Sequence, residues 1–198
     1  MKKDNKSSIR YHDCSYITFN TVDWVDLFIR PACKQEIADS LNYFIETKGL
    51  VVFAWCLMTN HLHLVAKAKG SGGMAVFEKE FKRFTTTKIL ETIDEEPDLR
   101  RDWLLQRFEH SSQTLKRLEK FQLWQSCVNP VYIEFKQLYK LQERVLYIHE
   151  NPVRDKIVAR PEEYIFSSAS DYAGNKGLVN VTVIDFAALR MSILKNGL

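Results

Sequence analysis

The stretch Asn60-His61-Leu62-His63-Leu64-Val65 decides how the fold of this chain is interpreted. Side chains of an extended strand alternate between the two faces of its sheet, so residues two positions apart share a face. His61 and His63 therefore project together, and Leu62 and Leu64 project to the opposite side. If the leucines face a core, the two neutral imidazoles converge and form half of a metal site. The pair alone fits equally well a strand that carries two ordinary histidines.

The segments around this stretch predict an alternation of strands and helices. Leu50–Leu57 is short and almost wholly apolar, which is typical of a central strand, and a turn leads from it into a strand over His61–Ala68. The other predicted elements are a strand over Ser15–Val22, a helix over Ala32–Lys48, a helix over Met74–Ile93 and a strand over Phe121–Val128. This order predicts a ferredoxin-like α+β fold with an antiparallel sheet and helices on one face. The histidines then lie on the open face.

A further helix is predicted over Glu134–Glu150, where one apolar stripe recurs at helical spacing. The opposite, polar face carries Arg144, Tyr147 and Asn151, which are spaced by one turn and so line up. We expect Asn151-Pro152 to end this helix, because a proline disfavours helical geometry in the residue before it. Packing alone offers ordinary roles for both residues, with Tyr147 as a half-buried rim residue and Asn151 as a helix cap.

Composition indicates an ordinary globular chain of 198 residues with a net charge of +3, which permits an anionic partner without requiring one. The four cysteines form no CxxC pair, so neither a zinc knuckle nor a thioredoxin-type site is indicated. The first ten residues lack the apolar core of a signal peptide, and we expect a reduced cytosolic protein. No apolar run is long enough to span a membrane.

Two motifs together carry a specific resemblance to a known family. The first is Asn60–Val65 after an apolar strand, and the second is Tyr147-Ile148-His149-Glu150-Asn151-Pro152-Val153-Arg154. Together they resemble the signature of the single-tyrosine HUH transposases, in which HUH stands for His–hydrophobic–His, and most of all the REP-associated tyrosine transposases. Further similar segments are Thr21–Asp26, Phe121–Gln125 and Glu163–Ala169.

The resemblance implies an HUH endonuclease fold, in which the ferredoxin-like sheet is joined by a C-terminal helix that bears the nucleophile. It covers residues 15–175, which we expect to form the transposase-like domain. Residues 1–14 are then a flexible N-terminal segment and residues 176–198 a C-terminal extension. In this family an amide side chain four residues after the tyrosine is a metal ligand, and Asn151 matches that position.

The resemblance also implies a function. The chain would be a DNA endonuclease and strand transferase that binds single-stranded or hairpin DNA and cleaves it through a 5′-phosphotyrosine intermediate. Tyr147 would be the nucleophile, and His61, His63 and Asn151 would bind Mg²⁺ or Mn²⁺, of which Mn²⁺ suits imidazole better. The protein would act as a monomer or homodimer in the cytoplasm, beside the nucleoid of a prokaryote.

Several basic and aromatic side chains are candidates for DNA contact, although each basic residue fits a solvated helix face equally well. The candidate phosphate-binding residues are Arg144, Arg154, Lys156, Lys82 and Arg83, and the candidate base-stacking residues are Trp24 and Trp124. One departure from the family pattern is Asp155-Lys156, which stands where small residues are usual.

Two other functions remain open from the sequence. The chain could be a domesticated relative that binds DNA hairpins without cutting them. It could also be a metallohydrolase of another class in which the HxH pair is a coincidence, and this hypothesis predicts that Tyr147 lies far from His61 and His63.

Overall fold

The structure is a computed structural model that describes residues 14–69, 72–95, 99–114, 120–126 and 130–196. Residues 1–13 of the predicted N-terminal segment lie outside these described residues. Four antiparallel strands form one sheet, and they are β1 (Cys14–Asn20), β2 (Leu50–Leu57), β3 (His61–Ala68) and β4 (Val131–Ile133). The strand order is β2-β3-β1-β4, so the histidine-bearing strand is central. The bounds of β2 and β3 are those predicted from the sequence.

Two long helices cover one face of the sheet. Helix α1 (Pro31–Lys48) starts with a proline in its first turn and ends at Gly49, whose left-handed φ of 68° lets its N–H cap the Phe44 carbonyl. Helix α2 (Gly73–Glu95) packs against α1, and their shared core is aromatic. Phe19 of β1 enters this core, with ring centroids 5.2 Å from Phe81 and 6.3 Å from Phe77. The face shared by Phe19, Leu62 and Leu64 is therefore the buried face.

Four further helices come after α1 and α2 in the described part of the chain. Helix α3 (Arg101–Thr114) occupies a region that the sequence pattern left unassigned. Helix α4 (Leu138–Arg154) lies on the histidine side of the sheet and contacts β2 and β3. The last elements are α5 (Ala169–Tyr172) and α6 (Phe186–Asn196), with short 3-10 turns at Val22–Trp24, Leu27–Ile29 and Pro161–Glu163.

The fourth strand lies at Val131–Ile133, so the prediction of a strand over Phe121–Val128 is wrong for its described part. Residues 120–126 form a single bridge, between Trp124 and Thr21, just beyond the end of β1. Leu123 and Trp124 are 1% and 2% exposed. Their apolar character reflects burial beneath α2, where the Trp124 indole donates a hydrogen bond of 2.8 Å to Thr85. Residues 127–129 lie outside the described part of the chain.

Helix α4 also departs from its predicted bounds, since it begins at Leu138 and continues through Pro152 to Arg154. A proline costs a helix the hydrogen bond of its own missing N–H and crowds the preceding turn. Here the next turn still closes, because the Asp155 N–H donates to the Asn151 carbonyl at 3.0 Å. Pro152 is itself buried. The helix therefore carries Arg154 one turn further than the sequence pattern indicated.

The chain after α4 covers the outer edge of β2, the strand at one end of the sheet. Backbone hydrogen bonds join Leu57 N–H to Phe166 O at 2.9 Å, Ser168 N–H to Trp55 O at 3.0 Å and Thr182 N–H to Val52 O at 2.8 Å. An uncovered edge strand is a template for aggregation, so this coverage protects the sheet. Residues 178–184 form no strand of their own. Within the described residues, no helix is both long and apolar enough to cross a membrane.

Ser168 is the polar centre of this edge, and its replacement tests the fold. The buried hydroxyl accepts the Trp55 N–H at 3.0 Å and lies 2.8 Å from His149 Nε2. Ser168→Ala leaves these buried partners without the hydroxyl, so we expect the free energy of unfolding to fall by about 1–3 kcal/mol in urea denaturation. The matched control is Ser170→Ala at a half-buried position of the same turn. Equal stability of the two variants would contradict this role of Ser168.

Candidate active site

His61 and His63 project from β3 onto the face opposite the aromatic core. Cross-strand pairs place Thr18 beside His63 and Asn20 beside His61. The two imidazole centroids are 4.6 Å apart with their planes at 71°. Convergence of the pair, which the alternation of the strand predicts, is thus present in the structure.

His61 is held by the residue before it. Its Nδ1 lies 2.7 Å from Asn60 Oδ1. Because an amide oxygen can only accept a hydrogen bond, the Nδ1 atom carries the hydrogen, and Nε2 keeps its lone pair. Asn60 is held in turn, since its Nδ2 donates to the Trp24 carbonyl at 3.3 Å and to Asp26 Oδ1 at 3.2 Å. The Asn that precedes the HxH pair therefore has a structural role in setting the tautomer of His61.

His63 is held by two hydroxyls of β1. Its Nδ1 lies 2.8 Å from Thr18 Oγ1 and 3.0 Å from the Tyr16 hydroxyl. Thr18 also donates its own hydrogen to the Tyr16 hydroxyl at 3.3 Å, so the two hydroxyls and Nδ1 form one hydrogen-bonded group. Because these contacts engage Nδ1, Nε2 is the ring nitrogen of His63 left for another partner. Tyr16 and Thr18 are therefore part of the candidate site, although no sequence pattern indicated their contacts with His63.

Both imidazoles are kept neutral by their surroundings. Burial, with a smaller effect of His61, lowers the pKa of His63 to about 3. Burial also lowers the pKa of His61, and the charge of Asp155 partly opposes this shift. A neutral imidazole is the form that binds a metal, so the site is prepared for ligation at neutral pH.

Tyr147 reaches the histidines from helix α4. The centroid of its ring lies 5.6 Å from that of His63, with the planes at 70°. The helix is amphipathic, and its buried stripe of Leu141, Val145 and Ile148 packs toward the sheet while Tyr147 stays half-buried at the rim. The hypothesis of an unrelated metallohydrolase expected Tyr147 to be distant, and the two rings are instead neighbours.

Asn151 follows Tyr147 by one turn and presents an oxygen. Its Nδ2 donates to the Tyr147 carbonyl at 2.9 Å, so Oδ1 is the amide atom left for another partner. Within the described residues, no cluster of three or more His, Cys, Asp or Glu side chains could hold a metal. An amide oxygen, such as Asn151 Oδ1, is a ligand type outside that set. Two imidazole nitrogens and one amide oxygen suit Mn²⁺ better than Mg²⁺.

The predicted DNA contacts divide between the two faces of the sheet. Arg154 lies with its guanidinium carbon 4.8 Å from the Tyr147 ring centroid, and Arg144 lies 5.0 Å from the Tyr16 ring centroid. Lys156 follows helix α4 and is exposed. Lys82 and Arg83 belong to α2 on the opposite face. Arg83 is exposed, and Lys82 is engaged with Glu78 at 2.6 Å and with the Gln125 carbonyl at 3.0 Å.

The two candidate base-stacking tryptophans also differ. Trp124 is buried in the core, whereas Trp24 is 56% exposed. The Trp24 ring centroid lies 6.4 Å from that of His61, with the planes at 73°. Only Trp24 of the two therefore has a surface open to a ligand beside the histidines.

Comparison with known proteins gives one structural likeness. No protein-family model and no curated protein matches the chain. Among solved structures, the chain is similar to a REP-associated tyrosine transposase bound to a REP hairpin, with 15% identity and a TM-score of 0.47. The alignment covers 93% of this chain and 96% of the transposase chain.

Proposed function

We propose that this chain is a metal-dependent DNA endonuclease and strand transferase of the single-tyrosine HUH type. The observation that carries the proposal is the position of the Tyr147 ring, 5.6 Å from the ring of His63. A nucleophile-bearing residue type thus lies beside a pair of converging imidazoles, and Asn151 follows it by one turn of the same helix. The HxH and tyrosine motifs, which are far apart in the sequence, would then form one site, to which Asn151 would add an amide oxygen.

The reaction would be a transesterification on a DNA phosphodiester. The Tyr147 oxygen attacks phosphorus, the bond from phosphorus to the 3′ oxygen breaks, and the phenol proton is balanced by the proton gained on the freed 3′ hydroxyl. The product is a 5′-phosphotyrosine, and attack by a 3′ hydroxyl reverses the step, which permits strand transfer. A divalent metal bound by His61, His63 and Asn151 would supply charge stabilisation at the scissile phosphate.

Basic residues near Tyr147 would hold the DNA backbone. Arg154 and Arg144 lie beside Tyr147 and Tyr16 respectively, so a phosphate at the site would have guanidinium groups within reach. Lys156 would extend this contact. Lys82 and Arg83 lie on the other sheet face and would contact only DNA that continues around the molecule.

The same chain supplies the nucleophile and all three proposed ligands, so a monomer would be sufficient for one site. A homodimer is compatible with this arrangement but is not required by it. We propose single-stranded or hairpin DNA as the substrate, in keeping with the resemblance carried by the HxH and tyrosine motifs. We place such an enzyme in the cytoplasm, near the nucleoid of a prokaryote.

Replacement of Tyr147 tests the nucleophile. We expect Tyr147→Phe to abolish the covalent protein–DNA adduct formed with Mn²⁺, because the attacking oxygen is removed while the ring remains. The measurement is a denaturing gel with a library of 3′-labelled hairpins that carry randomised single-stranded flanks, since the label stays on the strand joined to tyrosine. The matched control is Tyr139→Phe on the same helix, where the side chain is 79% exposed.

Three outcomes of this assay separate the candidate functions. An adduct with the parent chain and Tyr139→Phe but not with Tyr147→Phe supports the proposal. An adduct that persists in Tyr147→Phe shows that another group is the nucleophile. Binding of hairpins by the parent chain without any adduct favours the domesticated hairpin-binding protein.

Replacement of Thr18 tests how the metal site is prepared. Thr18→Val keeps the shape of the side chain but removes the oxygen that lies in hydrogen-bond contact with Nδ1 of His63. Loss of such a contact to a metal-binding histidine typically weakens metal affinity by about 10- to 100-fold. We expect a loss of this size in Mn²⁺ affinity, measured by electron paramagnetic resonance titration, and substantial recovery in Thr18→Ser. Unchanged affinity in Thr18→Val would show that Thr18 does not orient His63 for a metal.

A further inference from the structure

The setting of Trp24 is unusual for a tryptophan. Two of the four tryptophans, Trp55 and Trp124, are 0% and 2% exposed and belong to the core. Trp24 is 56% exposed, although Val22 and Val25 on either side of it are buried. The loop is therefore anchored by its flanking valines, and the indole is directed outward.

The backbone at this point is also strained. Asp23 and Trp24 have φ values of 51° and 54°, in the left-handed region that side chains with a β-carbon rarely adopt. An aspartate tolerates this region, but a bulky tryptophan does so only where the surroundings enforce it. The surroundings do enforce it here, because Asn60 Nδ2 donates to the Trp24 carbonyl and the Trp24 N–H donates to the Thr21 carbonyl at 3.2 Å.

Trp24 belongs to a series of neighbouring rings at the candidate active site. Its ring is 6.4 Å from that of His61, His61 is 4.6 Å from His63, and His63 is 5.6 Å from Tyr147. The Arg154 guanidinium lies beyond Tyr147 at 4.8 Å. Successive contacts thus connect an exposed aromatic surface, through the two histidines and Tyr147, to a cation.

We propose that the exposed face of Trp24 is a stacking site for an unpaired nucleobase, which positions the DNA strand so that its phosphate lies at the histidine pair. This inference rests on the proposed function for its ligand class, single-stranded DNA. Stacking on an aromatic side chain is tolerant of sequence and is available only to a base that is not already stacked in a duplex. The strained backbone at Trp24 adds nothing to core packing, because the indole is exposed. A stacking role accounts for its retention.

The test measures stacking separately from cleavage and from metal binding. All variants carry Tyr147→Phe, and no metal is added, so binding occurs without an adduct. The probe is a short single-stranded thymidine oligonucleotide with one 2-aminopurine, whose fluorescence is quenched when the base stacks on an indole. We expect Trp24→Ala to lose the quench and to weaken binding by about 5- to 150-fold, the range found for removal of one base–aromatic stack. Trp24→Phe, which keeps an aromatic face, should retain most of the affinity.

The matched control is Tyr132→Ala, which removes another exposed aromatic side chain, 66% exposed, from the edge strand β4. It should bind and quench like the Tyr147→Phe parent. Equal binding and quenching by Trp24→Ala and Tyr132→Ala would overturn the stacking site. A parent that binds no single-stranded DNA would overturn both this inference and the proposed function. A third outcome is that Trp24 stacks the base as expected, while the parent chain with Tyr147 intact forms no covalent adduct. This result would overturn the cleavage proposal alone.

Discussion

The alternation of side chains along β3 is the constraint on which the candidate site depends. Leu62 and Leu64 are fully buried against the aromatic core, and β3 is paired on both sides by β1 and β2. A slip of one residue would turn the leucines outward and place two imidazoles in the core. The hydrophobic packing of one face therefore determines that His61 and His63 share the other.

Helix α4 is the counterpart of this strand on the open face. Its apolar stripe fixes its rotation, so that the Tyr147 ring lies beside that of His63, and Asn151 follows Tyr147 by one turn. Continuation of the helix through Pro152 then brings Arg154 beside Tyr147. The strand and the helix are each held by ordinary burial of apolar side chains, and the polar groups between them are placed as a consequence.

The sequence supports prediction wherever the information is local. The hairpin of β2 and β3 follows from an apolar run, a turn and an alternating run, and its bounds were predicted correctly. The alignment of Tyr147 with Asn151 follows from helical periodicity. The contact of His63 with Tyr16 and Thr18 could not be predicted, because it depends on the register between β1 and β3, which no local pattern encodes. The fourth strand was misplaced for a related reason, since core burial of Leu123 and Trp124 produces the same apolar pattern as a strand.

The central claim is that His61, His63 and Asn151 form one metal site beneath Tyr147. Its most direct test is an anomalous difference map from crystals of the chain soaked in Mn²⁺. We expect one peak at about 2.0–2.3 Å from the Nε2 atoms of His61 and His63 and from Asn151 Oδ1, as is usual for nitrogen and oxygen ligands of such ions. Absence of a peak at the histidine pair, or a peak bound through Nδ1, would contradict the account.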